Sequence, residues 1–442
     1  MQLVLPDKVK EIIKTLEQAG YEAYAVGGCV RDSLLGKQPK DWDITTSASP
    51  MQVKEHFART IDTGIQHGTV TVMMDKEGFE VTTYRIDGKY EDGRHPSEVT
   101  FTRSLEEDLK RRDFTINAMA FNDSRGIVDL FGGQKDLNNR IIRCVGDAHK
   151  RFSEDALRMM RAVRFAAQIG CEIEDKTLEA MKDLAGNMKL ISAERIQSEL
   201  VKLLISDHPE DLLMLYEAGI TAIILPEFDE MMKTPQNHPY HKYNVGMHTI
   251  EAVKAIPADK VLRIAMLLHD VGKPKCRVTD EKGIDHFYRH PLESERIAKE
   301  ILRRLKFDND TIRKVLILIR HHDERPTLRE KNMRRLISRV TVEMYPSLLK
   351  VQVADALGQS DYRKEEKLAY YKSCEIMYRE ILEREECLKI KDLAVDGKDL
   401  IDAGVPQGKL IGENLSMMLD KVLENPKLNN KETLLEMIIK GD

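Results

Sequence analysis

The feature that most constrains this chain is a change of apolar periodicity near residue 145, because runs that alternate every two residues and runs that repeat every 3.6 build different layers. Before that point helical stretches alternate with strand-like ones: Ala23-Val26, Trp42-Thr45, Thr69-Met74, Phe79-Tyr84, Ala118-Asn122 and Gly126-Asp129. After about residue 150 helical spacing takes over and strand signals vanish. The expected fold class is α+β, a mixed sheet with helices followed by an all-helical remainder. A polar, proline-bearing stretch from Thr234 to His241 marks a loop before a helical block near Val245, and a Gly/Pro-punctuated segment from Asp396 to Gly412 belongs to a last unit. Four parts are expected, at 1-148, 149-225, 226-380 and 381-442.

With 442 residues the chain has room for several domains and a large core. No apolar run is long enough for a membrane span, and the amphipathic start MQLVLPDKVKEIIKTLEQAG lacks the plan of a signal peptide, so the cytoplasm is expected. Six scattered cysteines without a CxxC pair suit reduced packing thiols and give no zinc pattern. The net charge of −5 weighs against nucleic acid as a partner. Its distribution weighs the other way, with basic clusters at Lys110 to Arg112, at Arg158, Arg161 and Arg164, at Arg303-Arg304, and from Arg329 to Arg339. Each alone reads equally as a solvated helix face.

Ala23-Val26 leads into Gly27-Gly28 and then a helical stretch, a turn at which backbone amides can approach a phosphate closely. The next expected strand carries Asp41 and Asp43 on one face and Trp42 on the other. Two adjacent carboxylates repel unless a cation lies between them, and hard oxygen ligands suit Mg2+, whose ions can activate a hydroxyl and neutralise a triphosphate. The sequences GGCVRD and KDWDITTSASP together resemble the catalytic signature of polymerase-β-like nucleotidyltransferases. Within these they are most similar to the bacterial class II tRNA CCA-adding enzymes and their poly(A) polymerase relatives. The resemblance implies a nucleotidyltransferase head followed by a helical neck, an HD-type body and a tail. It further implies tRNA, CTP and ATP as partners, phosphate contacts from Gly28 and Arg31, and metal ligation by Asp41 and Asp43. Glu80 reads either as a third acid near the ions or as a solvent-facing residue of an amphipathic strand.

The family's next motif, RRDFTxNA, is matched by Arg111 to Ala118, directly after Lys110. It implies that Arg112 grips phosphate or sugar oxygens while Asp113 and Asn117 fix the ribose or the loop. In Ser153-Glu-Asp-Ala-Leu-Arg158, Ser153 reads as an N-cap, with Asp155 and Arg158 on one helical face. Cytosine and adenine both offer an amino donor beside a ring-nitrogen acceptor, which a carboxylate and a guanidinium complement; uracil and guanine would meet like with like. The family's EDxxR motif fits here, and Arg161 and Arg164 carry over as nucleotide contacts. Tyr84 to Glu98 reads as a mobile loop of the kind that the family uses to switch from C to A addition.

Further on, His248, the pair His269-Asp270 before Val-Gly-Lys-Pro274, and Asp355 resemble the HD superfamily of metal phosphohydrolases, with His290, His321 and His322 as additional ligands. The resemblance implies a second divalent transition metal that activates water. The segment from Gly397 to Gly412 matches the family's tRNA-holding tail, although helix caps and packing account for its residues equally well. The alternatives left open are an A-adding specialist, a poly(A) polymerase, and an HD phosphohydrolase with a nucleotide-sensing head. The sequence carries no indication of oligomeric state.

Overall fold

The computed structural model describes residues 3–88 and 99–439. The chain divides into two compact units, Met1–Pro226 and Glu227–Asp442. In the first, helix Asp7–Gln18 buries Val9, Ile12, Ile13 and Leu16, the stripe that its three-and-four spacing dictates. Among the described residues nine strands follow in this unit's first part: β1 (Ala23–Val26), β2 (Ile44–Thr46), β3 (Thr60–Gly64), β4 (Thr69–Met74), β5 (Glu77–Thr83), β6 (Arg85–Asp87), β7 (Val99–Phe101), β8 (Met119–Asn122) and β9 (Gly126–Asp129). Seven form one sheet in the order β3-β4-β5-β2-β1-β8-β9, in which only β2 and β5 run parallel to each other.

β1 and β8 lie inside this sheet and are buried throughout; on β4 only Val70 and Val72 are buried, the alternation of a strand with one wet face. Tyr24, Val26, Tyr84, Leu109, Ala118, Ala120 and Val145 pack into one cluster beneath the site described below.

Strand β2 begins at Ile44, so Asp41 to Asp43 approach it as extended chain, and Trp42 is half-buried. The exposed-buried alternation nevertheless persists, because Val26 N donates to the Asp43 carbonyl at 2.9 Å and prolongs the ladder by one rung. Strands β3, β6 and β7 have too few apolar residues to signal themselves; Thr60–Gly64 buries none of its side chains fully. The expected loop from Tyr84 starts as the pairing of β6 with β7, and residues 89–98 lie outside the described residues. Strand structure also recurs late: Ile141–Ile142 pairs in parallel with Glu172–Ile173, and Arg277–Thr279 pairs with Asp285–Phe287.

In the second unit helices Val245–Ala255, Lys260–Leu268, His290–Arg304, Asn309–His321 and Tyr345–Gly358 pack on one another. A separate apolar cluster of Leu393, Leu400, Val405, Met418, Val422 and Leu434 forms under the final helices. All six cysteines are free thiols, and five are buried. Among the described residues no helix is long and apolar enough to cross a membrane.

Candidate active site and a second polar centre

At the end of β1, Gly27 turns the chain with φ +83° into helix Gly28–Leu34. Only glycine adopts that backbone without strain, and a Cβ there would stand 2.9 Å from Arg112 Nη1. Arg112 thus lies directly on the turn. Its Nε is buried without a hydrogen-bond partner, an uncommitted donor on the same guanidinium. Arg31 gives Nη1 to Asn117 Oδ1 at 2.7 Å and Nε and Nη2 to Asp32 Oδ1 at 2.8 and 2.7 Å, so three of its five donors already hold protein.

Asp41 and Asp43 are exposed at the mouth of β2, and the parallel register Ile44↔Val81 brings Glu80 alongside Asp43. Partial desolvation raises the pKa of Asp43; Arg112 opposes this and Asp41 adds to it. Glu80 is raised by partial desolvation, then by the charges of Asp43 and Asp41. Mutual repulsion of this kind is relieved by a divalent cation, for which carboxylate oxygens are fitting ligands.

The segment expected as one helix from Ser153 is two. Helix Ala148–Glu154 is capped by Asp147, whose side chain accepts from Lys150 N at 2.7 Å; Ser153 lies inside it and is no N-cap. The chain breaks at Asp155, in extended conformation, before helix Leu157–Ile169. Asp155 Oδ1 accepts from Leu157 N at 3.1 Å, so Asp155 itself satisfies an amide at the start of the second helix. Its carboxylate takes Arg195 Nη1 at 3.2 Å and Nη2 at 2.7 Å. Arg158 gives Nη1 to Glu154 Oε2 at 2.8 Å and to the Arg151 carbonyl at 3.2 Å, and Nη2 to the Arg111 carbonyl at 3.1 Å. Asp155 and Arg158 are therefore not paired as an i, i+3 bridge; separate partners hold each.

Asp113 is buried. Its Oδ2 receives Arg161 Nε at 2.8 Å and Nη2 at 2.6 Å, and its Oδ1 receives Phe114 N and Asn117 Nδ2. Burial alone would raise its pKa, but Arg161, Arg158 and these hydrogen bonds hold it well below the usual carboxylate range. Arg164 departs from expectation. It is buried, ion-paired with Glu199, bonded to Gln168 at 2.8 Å and stacked 3.8 Å over Phe165, so the helix rotation turns it away from Asp155 into packing. Arg195 and Glu154 escaped the sequence reading. Arg195 lies forty positions beyond Asp155 with no motif to link them, whereas Glu154, four residues before Arg158, was legible as a helical pair.

Family models match in the same order. A poly A polymerase head domain covers residues 23–143, a "Probable RNA and SrmB- binding site of polymerase A" covers 170–232, and a tRNA nucleotidyltransferase domain 2 covers 289–438. The CCA-adding enzyme of Lactobacillus helveticus is 36% identical over 98% of this chain and 97% of its own length. This chain belongs to the CCA-adding enzyme family. The CCA-adding enzyme of Enterococcus faecalis is 35% identical over 98% of this chain and 96% of its own. The crystal structure of the Bacillus stearothermophilus CCA-adding enzyme in complex with CTP superposes with a TM-score of 0.73 at 31% identity, covering 98% of this chain and 96% of that one. The chain is thus a tRNA nucleotidyltransferase, an enzyme class that uses divalent metal.

In addition to its nucleotidyltransferase head, this member of the CCA-adding family has a second polar centre in its helical unit. One donor atom each from His248, His269 and Asp270 lies within 4.8 Å of the others, and the same holds for Asp270, His290 and His322, so Asp270 belongs to both groups. Asp355 Oδ1 stands 3.0 Å from His248 Nε2 and 3.7 Å from His269 Nε2. The Nδ1 atoms of His248, His269, His290 and His322 bond the carbonyls of Gly358, Met266, Phe287 and Ile319 at 3.1, 2.7, 2.9 and 2.7 Å. A carbonyl only accepts, so each Nδ1 carries hydrogen and each Nε2 is aimed at the centre. Neither oxygen of Asp270 has a well-aligned hydrogen bond, although Lys273 Nζ ion-pairs with Oδ2 at 2.7 Å.

Imidazole nitrogens and a shared carboxylate are the donor types that a divalent transition metal would take here. Gly272 lets the backbone of helix His290–Arg304 close on the centre, since a Cβ would meet Ser294 N at 2.5 Å. His321 bonds Glu324 through Nδ1 at 2.7 Å and is not among the side chains that cluster at this centre in the described residues. His241, which the sequence reading treated as loop, borders the centre with its ring 5.5 Å from His248.

Proposed function

We propose that this chain adds C and A residues to the 3′ end of tRNA from CTP and ATP, without a nucleic acid template, in the cytoplasm. The observation that carries this reading is the group of Asp41, Asp43 and Glu80 beside the Gly27 turn, with Arg112 lying on it. Asp41 and Asp43 hold Mg2+, with Glu80 as a neighbouring acid. When bound, the metal supplies Lewis-acid stabilisation of the triphosphate and of the attacking 3′-hydroxyl. Gly28 and Arg112 seat the phosphates, while Arg31, Asp113 and Asn117 brace the turn against the following loop.

Asp155 and Arg158 select the base. Arg195 and the Leu157 amide occupy three of the roughly four acceptor positions of the Asp155 carboxylate, which leaves about one for an amino group. Arg158 keeps its Nε and one Nη2 hydrogen after its three bonds to protein, and these suit a ring nitrogen. A pocket of this kind accepts cytosine and adenine and leaves buried like-to-like contacts with uracil and guanine. Arg161 acts through Asp113. The head spans 1-148 and the neck 149-225, with the body at 226-380 and a tRNA-holding tail at 381-442.

The test supplies tRNA transcripts ending before C, after CC and after CCA with CTP and ATP, separately and together. Ordered completion of CCA is expected; extension of the CC-ended RNA alone would replace this reading with A addition, and unlimited A tailing with poly(A) polymerase activity. In parallel, Asp155→Ala should relax base choice by about a hundredfold while metal dependence persists. Unaltered selectivity would refute the template assignment.

A second reading concerns the helical unit. Four imidazole Nε2 atoms converge on Asp270 and Asp355, and this arrangement favours a divalent transition metal held by His248, His269, Asp270 and Asp355, joined by His290 and His322. Metal bound there would activate water for hydrolysis of phosphate esters. Purified protein that hydrolyses none with Mg, Mn, Ni or Co would overturn it.

A further inference from the structure

Asp108 lies outside the signature motifs, yet it is among the most enclosed charges in the head. Its carboxylate is 0% exposed, at the last turn of helix Leu105–Lys110. A buried carboxylate is costly unless every lone pair is used, and here the partners come from separate parts of the site. Oδ2 accepts from Thr45 Oγ1 at 3.0 Å, and Thr45 stands two residues after Asp43 on β2. Oδ1 accepts Arg111 Nε and Nη2 at 2.9 and 2.8 Å. Arg112 Nη2 approaches Oδ2 at 3.5 Å, while Nη1 of the same guanidinium lies on the Gly27 turn.

We propose that Asp108 is a positioning residue for nucleotidyl transfer: it fixes Arg112 between the glycine turn and Asp43 and, through Thr45, ties that arginine to strand β2, which directly follows the catalytic acids. The inference rests on the reading of Arg112 as a phosphate ligand. The carboxylate offers Arg112 a contact longer than its bonds to Arg111 and Thr45, which orients the guanidinium and leaves the buried Nε unpaired for an incoming phosphate oxygen. Asp108 also holds the side chain of Arg111, whose carbonyl accepts from Arg158 Nη2 at 3.1 Å. Base selection has other anchors, because Arg158 is held independently by Glu154 and the Arg151 carbonyl. The consequence of losing Asp108 is therefore a weakened grip on triphosphate rather than a change in the base accepted.

The experiment is steady-state extension by the full chain carrying Asp108→Asn, which keeps the shape and the Thr45 acceptor but removes the charge. Expected are a tenfold or greater rise in KM for CTP and for ATP by the same factor, an equal rise in the inhibition constant of inorganic tripolyphosphate, and an unchanged preference over UTP and GTP. A merely structural role would lower the active fraction, hence kcat, and leave KM and the tripolyphosphate constant where they were; that outcome overturns the inference.

A double-variant comparison isolates the route. If Asp108 works through Arg112, then Asp108→Asn with Arg112→Ala has the KM of Arg112→Ala alone, and additive effects overturn the proposal. Arg112→Ala without effect on KM removes the phosphate reading and the inference with it, whereas an effect of Arg112→Ala beside a silent Asp108→Asn removes the inference only. Should Asp108→Asn not fold, Thr45→Val, which deletes only the hydroxyl anchoring the carboxylate, carries the same measurement with an expected threefold rise in KM, and no rise overturns the proposal.

Discussion

Charge placement in the head follows from what each carboxylate can find to neutralise it. Asp108 and Asp113 are buried and satisfied by arginines, whereas Asp41, Asp43 and Glu80 stand together with raised pKa values at Asp43 and Glu80. Asp43→Asn should therefore fold normally and lose extension activity by about a thousandfold, equivalent to roughly 4 kcal/mol of transition-state stabilisation. A thermal melt and a transcript-extension assay on one preparation check both halves, and retention of activity would sink the metal assignment. Because the raised carboxylates must be ionised to bind metal, activity should fall on acidification at a higher pH than ordinary carboxylate titration would predict.

Arg161 and Asp113 give the opposite case. Arg161→Met should cost about 2 kcal/mol, less than a fully enclosed pair because Arg161 is one-third exposed and water can reach the vacated carboxylate. The folded pKa of Asp113 is depressed, so the pair's stabilisation is complete above about pH 4, the unfolded value, and fades as pH falls towards the folded one. Denaturant midpoints of wild type and variant should converge in acid; a gap independent of pH would show that packing, not charge, is lost.

Among the elements, what reads through local sequence was legible and what depends on distant partners was not. β1 and β4 match their expected spans because β-branched, apolar or alternating residues mark them, whereas β3 is a polar strand held by pairing with β4. The break at Asp155 had no local signal, since Ser153 is as good a cap by composition as Asp147; the choice is settled by Arg195, which pulls the Asp155 carboxylate out of the first helix. The packing of Arg164 has no local signal for the same reason, because its partner Glu199 lies on another helix.

The Gly27 turn was legible, and its conformation makes it testable. Gly27→Ala imposes a strained left-handed residue and a contact of 2.9 Å with Arg112 Nη1. KM for both nucleotides should rise by about tenfold, the kinetic equivalent of roughly 1.4 kcal/mol. An unchanged KM would mean that the turn does not seat phosphate.

For the whole molecule the central question is whether the helical unit carries its own metal. Without metal, burial favours neutral His269, yet Asp270 and Asp355 overcome it and raise its pKa to about 9. Relative to an unfolded histidine near 6.5, this protonation contributes stability that is complete below about pH 6.5 and is lost as pH rises through about 9. A metal at Nε2 must displace that proton, so its affinity should rise with pH across this window as binding releases hydrogen ions. Scanning calorimetry with Mn or Ni should show stabilisation of about 2.7 kcal/mol at a hundredfold excess over Kd, larger at pH 8.5 than at pH 6.5 for a fixed metal concentration. His269→Ala should abolish that shift while transcript extension, whose proposed catalytic and base-selecting residues lie in the other unit, continues at its former rate. A metal-induced shift that is independent of pH, or that survives in His269→Ala, would place the ion elsewhere; loss of extension in the variant would show that the two units do not work separately.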